Sequence, residues 1–162
     1  MSIFGTLLHF ALDWTGGCPA VALFSAANES IWEHMKLLFY PMLVLSLAEY
    51  WCWGRRVDNF WCIKLAGIFL GLALIPVAYY TYTGALGVSE DWFNIAIFFL
   101  TAAVSLWVET KLFAVGNGDR CSRKWAVGAI VLLVVAFTVL TFLPPQIPLF
   151  QDPLTGTYGF RG

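Results

Sequence analysis

Charge is what this sequence has least of. Only 12% of its 162 residues are Asp, Glu, Lys or Arg, where a soluble domain carries roughly 25%. With 60% hydrophobic and 17% aromatic residues and a mean hydropathy of +0.76, too little polar surface remains to face water, so the bilayer is the expected partner. A net charge of -1 and the lack of a basic stripe exclude a nucleic-acid partner. No cysteine of Cys18, Cys52, Cys62 and Cys121 falls in a Cys-x-x-Cys pair, which excludes zinc-ribbon and thioredoxin-like readings. They read instead as small apolar packing residues. Met1-Ser2-Ile3-Phe4 lacks a positive n-region, so no cleavable signal peptide is expected. Nor is there an internal repeat, which argues against an inverted-repeat transporter within one chain.

What the chain does have is long apolar runs. A spanning helix needs about 20 of them in a row. Residues 3–27 hold a short apolar run, the breaker Thr15-Gly16-Gly17-Cys18-Pro19, and a second short run. They read as one broken crossing. Four full spans follow: Ser30 to about Trp53, Phe60 to about Tyr82, a helix capped by Ser89 and ending near Phe113, and about Lys124 to Leu143. Pro41 and Pro76 each remove one helical hydrogen bond, so a kink is expected at each. Pro144-Pro145 stops the last helix and leaves an irregular tail over residues 144–162. The expectation is an all-α, polytopic transmembrane bundle in a single domain, 1–162.

Lys and Arg concentrate in the 54–59 and 114–124 loops, while the 83–91 loop carries only acids. By the positive-inside rule the first two are cytoplasmic, and by alternation the C-terminal tail is extracytoplasmic. Near the cytoplasmic side, Glu49 and Glu109 lie at helix C-termini, where a carboxylate opposes the dipole. Structural ion pairs such as Glu49–Arg55 or Glu109–Lys64 would account for them.

The densest polar stretch is Asn28-Glu29-Ser30-Ile31-Trp32-Glu33-His34-Met35-Lys36, directly before the apolar run Leu37 to Leu45. Ser30-Ile31-Trp32-Glu33 fits a capping box, in which the glutamate reaches back to the cap amide. Glu33 and Lys36 share one helix side, whereas His34 points about 100° away and needs a partner from another segment. That partner could come from His9 or from Asp152 in the tail. Thr6, His9 and Asp13 form one polar stripe on the first apolar run. Two histidines with a carboxylate make an accepted catalytic zinc set, so His9, His34 and Glu33 are the candidate ligands of a divalent metal.

The segments Val21 to Ser25, Asn28-Glu29-Ser30, Trp32-Glu33-His34, Lys36 to Phe39 and Pro41 form one recognisable core. Around it stand His9-Phe10, Glu49-Tyr50, Asp152-Pro153 and Gly156-Thr157-Tyr158-Gly159. Together they resemble a family of small integral membrane proteins from Gram-positive bacteria, of unknown function, with an Asn-Glu-Ser-x-Trp-Glu-His core. Here Ala26-Ala27 stands where that core has Pro-Val. The resemblance implies a bacterial membrane protein and the site His9, Asn28, Glu29, Glu33, His34, Lys36, Asp152 and Tyr158; it implies no activity.

Three functions fit these residues. One is a membrane-embedded, metal-dependent hydrolase or transferase at the outer leaflet. In it Glu29, Glu33 and His34 would serve as base or ligand, Lys36 or Tyr158 would stabilise an oxyanion, and Asn28, Trp32 and Asp152 would bind substrate. The second is a small-molecule or ion binding or transport protein, which a chain this small would form only as a homo-oligomer. The third is an accessory structural membrane subunit, whose charged cluster pins the tail to the helix entry.

Overall fold

The computed structural model describes residues 7, 8, 11, 12, 14–116 and 121–160. His9 and Asp13, with Thr6, lie outside the described residues. Every regular element described is helical: α1 Pro19–Ala22, α2 Ile31–Cys52, α3 Phe60–Leu86, α4 Asp91–Val115 and α5 Arg123–Phe142, with 3-10 turns at Gly54–Arg56 and Pro148–Phe150. Among the described residues there is no strand, only an isolated antiparallel bridge between Gln151 and Tyr158.

Among the described residues three helices, not the expected four, are long and apolar enough to cross a membrane: α3, α4 and α5. The reason lies in α2. Its 22 residues suffice in length, but Glu33, His34 and Lys36 near its start and Glu49 near its end dilute the apolar stretch. The boundaries also move. α3 runs on to Leu86, past the end expected near Tyr82, with the hydroxyls of Thr81 and Thr83 donating to the carbonyls of Val77 and Tyr79. The cap of α4 is Glu90 and makes no side-chain bond. Ser89, expected to cap it, instead lies within hydrogen-bond reach of Tyr79, Tyr82 and Asn94.

The chain divides into two compact units, Met1–Pro41 with Val131–Gly162, and Met42–Ile130. In the first, a helical stretch closes where the Gly17 amide donates to the Leu12 carbonyl at 3.0 Å. Its aromatic core is Trp32 set between Phe137 and Phe150, with ring centroids 4.6 and 4.7 Å away, and Phe39 5.0 Å from Phe137. Two bonds tie in the tail: Asn28 Nδ2 of the side chain donates to the Gly159 carbonyl at 3.2 Å, and the Phe160 backbone amide donates to the Thr141 carbonyl at 2.9 Å. Gly159 has φ +70°, and a Cβ there would press on Pro144, so both the backbone angle and the close approach require glycine.

In the second unit α3 packs on α4, and both helices bury small residues. Gly67 and Gly71 are buried on α3, and Thr101, Ala102 and Ser105 on α4. Such faces let two backbones approach closely where lipid removes the hydrophobic drive between helices. In this unit α4 and α5 also leave large apolar side chains exposed, among them Ile95, Leu100, Trp107, Trp125 and Val127. The cysteines correct the packing reading. Cys62 and Cys121 form a disulfide, with Cα atoms 6.1 Å apart, the separation a disulfide requires. Cys18 and Cys52 are free, and Cys52 is exposed.

Candidate functional site

The Asn28–Lys36 stretch enters α2 through a modified capping box. The Glu33 amide donates to the Ser30 hydroxyl at 3.4 Å, which is the first half of the motif. The second half differs: the Ser30 amide donates to Asn28 Oδ1 at 2.9 Å, while Glu33 Oε2 accepts from the Ala27 amide at 2.8 Å. Asn28 has taken over the cap amide, so the Glu33 carboxylate reaches a residue further back and turns inward.

There it meets Lys36. Nζ lies 2.6 Å from Glu33 Oε2, and donates to the Ala22 carbonyl at 2.7 Å and the Thr141 hydroxyl at 2.9 Å. An ammonium has three N–H donors, and each has one acceptor. Thr141 shares its own proton between Glu33 Oε1 at 3.0 Å and the Phe137 carbonyl at 2.8 Å. The Lys36 side chain is 0% exposed and that of Glu33 2%. A buried ion pair withstands its desolvation cost only when the remaining donors and acceptors are also satisfied, and here they are. One acid and one base, with a hydroxyl and three backbone groups, form a closed set.

His34 goes elsewhere. Nδ1 lies 2.9 Å from the Ser30 carbonyl; a carbonyl only accepts, so Nδ1 carries the proton. Nε2 faces Glu29 Oε2 at 3.5 Å. This partner lies in the loop just before the helix and not at Asp152 of the tail; His9, the other expected source, lies outside the described residues. Asp152 serves a different purpose: its Oδ1 accepts from the amides of Leu154 at 2.8 Å and Thr155 at 3.3 Å, building the tail turn. Tyr158 pairs with Gln151 through the backbone, and no hydrogen bond joins its hydroxyl to Glu33, Lys36 or His34. Trp32 packs in the aromatic core, with its indole Nε1 buried and unpartnered.

The expected site residues therefore separate into two layers. Glu33 and Lys36 are buried in the closed network. Asn28, Glu29 and Asp152 line an open cavity of about 440 Å³ with Ala27, Thr155, Thr157 and Gly159. Among the described residues no group of three His, Cys, Asp or Glu side chains is placed to hold a metal. Glu33, one of the three expected ligands, has its oxygens on Lys36, Thr141 and Ala27; His9, another, is outside the described residues. Sequence reasoning missed Thr141. The signal was a hydroxyl near the end of an otherwise apolar helix. The backbone partners Ala22 and Ala27 left no signal at all.

A second charged cluster lies in the other unit. Lys64 pairs with Glu109 at 2.5 Å, as the sequence allowed, and also with Glu49. Arg55, the alternative partner for Glu49, instead lies over the Trp51 ring, 3.5 Å from its centroid. No curated protein and no solved structure matches the chain. Over residues 1–160 it matches the family of unknown function DUF6512, and it belongs to that family.

Proposed function

We propose that this chain is an accessory integral membrane subunit of the bacterial plasma membrane, and that its Asn28–Lys36 stretch is a clamp rather than a catalytic centre. The observation that carries this reading is the closed Glu33–Lys36–Thr141 set, in which every N–H of Lys36 is used within the protein. A general base needs a lone pair directed at substrate, and an oxyanion stabiliser needs a donor to spare. Glu33 and Lys36 have neither. What the set does instead is join the α1 segment, the entry of α2 and the end of α5, with Asn28 holding the tail beside it.

The bilayer placement rests on α3, α4 and α5, whose exposed apolar faces suit lipid. α2 accompanies them with its charges paired. The Lys and Arg bias puts the 54–59 and 114–124 loops in the cytoplasm and the tail outside.

Metal analysis of the purified protein tests the clamp against the hydrolase. The clamp expects metal-free protein, with His34→Ala leaving thermal stability near wild type and Glu33→Gln lowering it. Stoichiometric zinc that is lost in His34→Ala would overturn it in favour of a metal-dependent hydrolase or transferase. The ion-binding reading is favoured by one observation, the two carboxylates that share Lys64.

A further inference from the structure

We propose that Glu49, Lys64 and Glu109 form a proton-binding site, in which one proton is held between two carboxyl groups that share a single ammonium. The inference rests on the bilayer placement of α3 and α4 and is independent of the clamp. The first support is charge. Lys64 pairs with both acids, so the fully ionised cluster carries an uncompensated negative charge. Its centre is buried: the side chains of Lys64 and Glu109 are each 3% exposed. Two carboxylates in one low-dielectric site do not both ionise on a single counter-charge.

Among the described residues no second cation forms an ion pair with Glu49 or Glu109. From α2 the cluster takes Glu49, from α3 Lys64 and from α4 Glu109. Arg123 on α5 donates to the Tyr50 hydroxyl at 2.6 Å. Arg55 lies over Trp51 and Lys111 near the Trp107 ring. Neither arginine nor Lys111 forms an ion pair with either carboxylate among the described residues. Beside Lys64 stand the rings of Phe60 and Phe113, 5.7 and 5.6 Å from Nζ, which wall the ammonium off from water.

The second support is independent of charge. Glu109 Oε1 is buried without a hydrogen-bond partner, and so is the hydroxyl of Ser105, one turn earlier on the same face of α4. A serine in a helix ordinarily bonds the carbonyl four residues back; this one does not. Glycine at position 67 makes the arrangement feasible, because a Cβ there would collide with the Glu109 carboxyl. A carboxylate oxygen without a donor is costly when buried; a protonated carboxyl is not a charge and has a proton to give. Access is through Glu49, whose side chain is 26% exposed. Binding is protonation of a carboxylate oxygen by a proton from water, and no other bond is made or broken.

Infrared spectroscopy of the full-length protein in lipid nanodiscs tests this. Wild type is expected to show a protonated-carboxyl carbonyl band at neutral pH that shifts in deuterated water. Removing either acid leaves one carboxylate on one ammonium, so the band should vanish in Glu109→Gln and equally in Glu49→Gln. Lys64→Met should enlarge it. A wild-type spectrum without the band at neutral pH, or a band that survives either glutamine substitution, would overturn the proposal. The wild-type measurement needs no variant to fold, and its failure would leave the Glu33–Lys36 clamp untouched.

Discussion

The two buried lysines of this chain differ in their company. Lys36 has one carboxylate, one hydroxyl and one backbone carbonyl, and each of its protons is spoken for. Lys64 has two carboxylates, and around it a carboxylate oxygen and a serine hydroxyl are left without partners. Burial is nearly the same; satisfaction is not. A closed ion pair can hold segments together but has nothing left with which to bind. An open one, with an acid in excess, has a vacancy of charge that a proton fills. The residues that drew attention in the sequence form the closed set, and the pair dismissed as structural forms the open one.

The largest effect should come from breaking the closed set on one side. Lys36→Met leaves the Glu33 carboxylate buried without its cation, and is expected to cost about 3–5 kcal/mol, read as a loss of thermal stability in detergent. Replacing both members, Glu33→Leu with Lys36→Met, should recover most of that loss, since a buried pair exchanged for apolar groups is often neutral. A double variant as unstable as the single one would mean that the charges contribute more than each other's neutralisation.

Gly67→Ala comes next. The added Cβ pushes the Glu109 carboxyl off α3, and overpacking of this kind costs about 1–3 kcal/mol. If the unfolding midpoint does not move, Glu109 has another place to go and the close approach of α3 and α4 is not tight. Thr141→Val removes the hydroxyl that joins Glu33 to Lys36 and should cost about 1–2 kcal/mol by the same unfolding measurement. The smallest effect is the most diagnostic: Glu109→Gln takes an acid from a cluster with one to spare, and should change stability by less than about 1 kcal/mol. Glu33→Gln, which takes the sole acid from Lys36, should cost several times more. Equal losses in the two would erase the difference between the clusters.

The order and type of the elements were legible because they rest on local physics. Apolar runs of spanning length, proline and glycine breaks and a serine at a helix entry act within a few residues, and the spans from Phe60 and around Lys124 begin within a residue of where the sequence places them. α2 was harder. Its apolar centre reads as a span, but Glu33, His34, Lys36 and Glu49 set its hydropathy below that of the other three helices. Ser89 misled because serine, aspartate and glutamate in a row offer several caps of similar quality, and the nearby tyrosines drew its hydroxyl away.

The site was legible as a location and not as an arrangement. That Glu33 and Lys36 share a helix face follows from 3.6 residues per turn, and that His34 cannot join them follows from the same number. These the sequence determines by itself, together with the all-helical architecture; that three helices and not four are apolar enough to span came from where α2 places its charges. Which groups complete each charge only the tertiary structure decided. Ala22 and Ala27 offer backbone atoms, which no side-chain pattern announces. Thr141 is more than a hundred residues from Lys36, and Lys64 turns to two acids rather than one because Gly67 lets Glu109 come close. A charge is written in the sequence, but its satisfaction depends on donors and acceptors brought within about 3 Å by packing, and that distance separates the clamp from the open cluster.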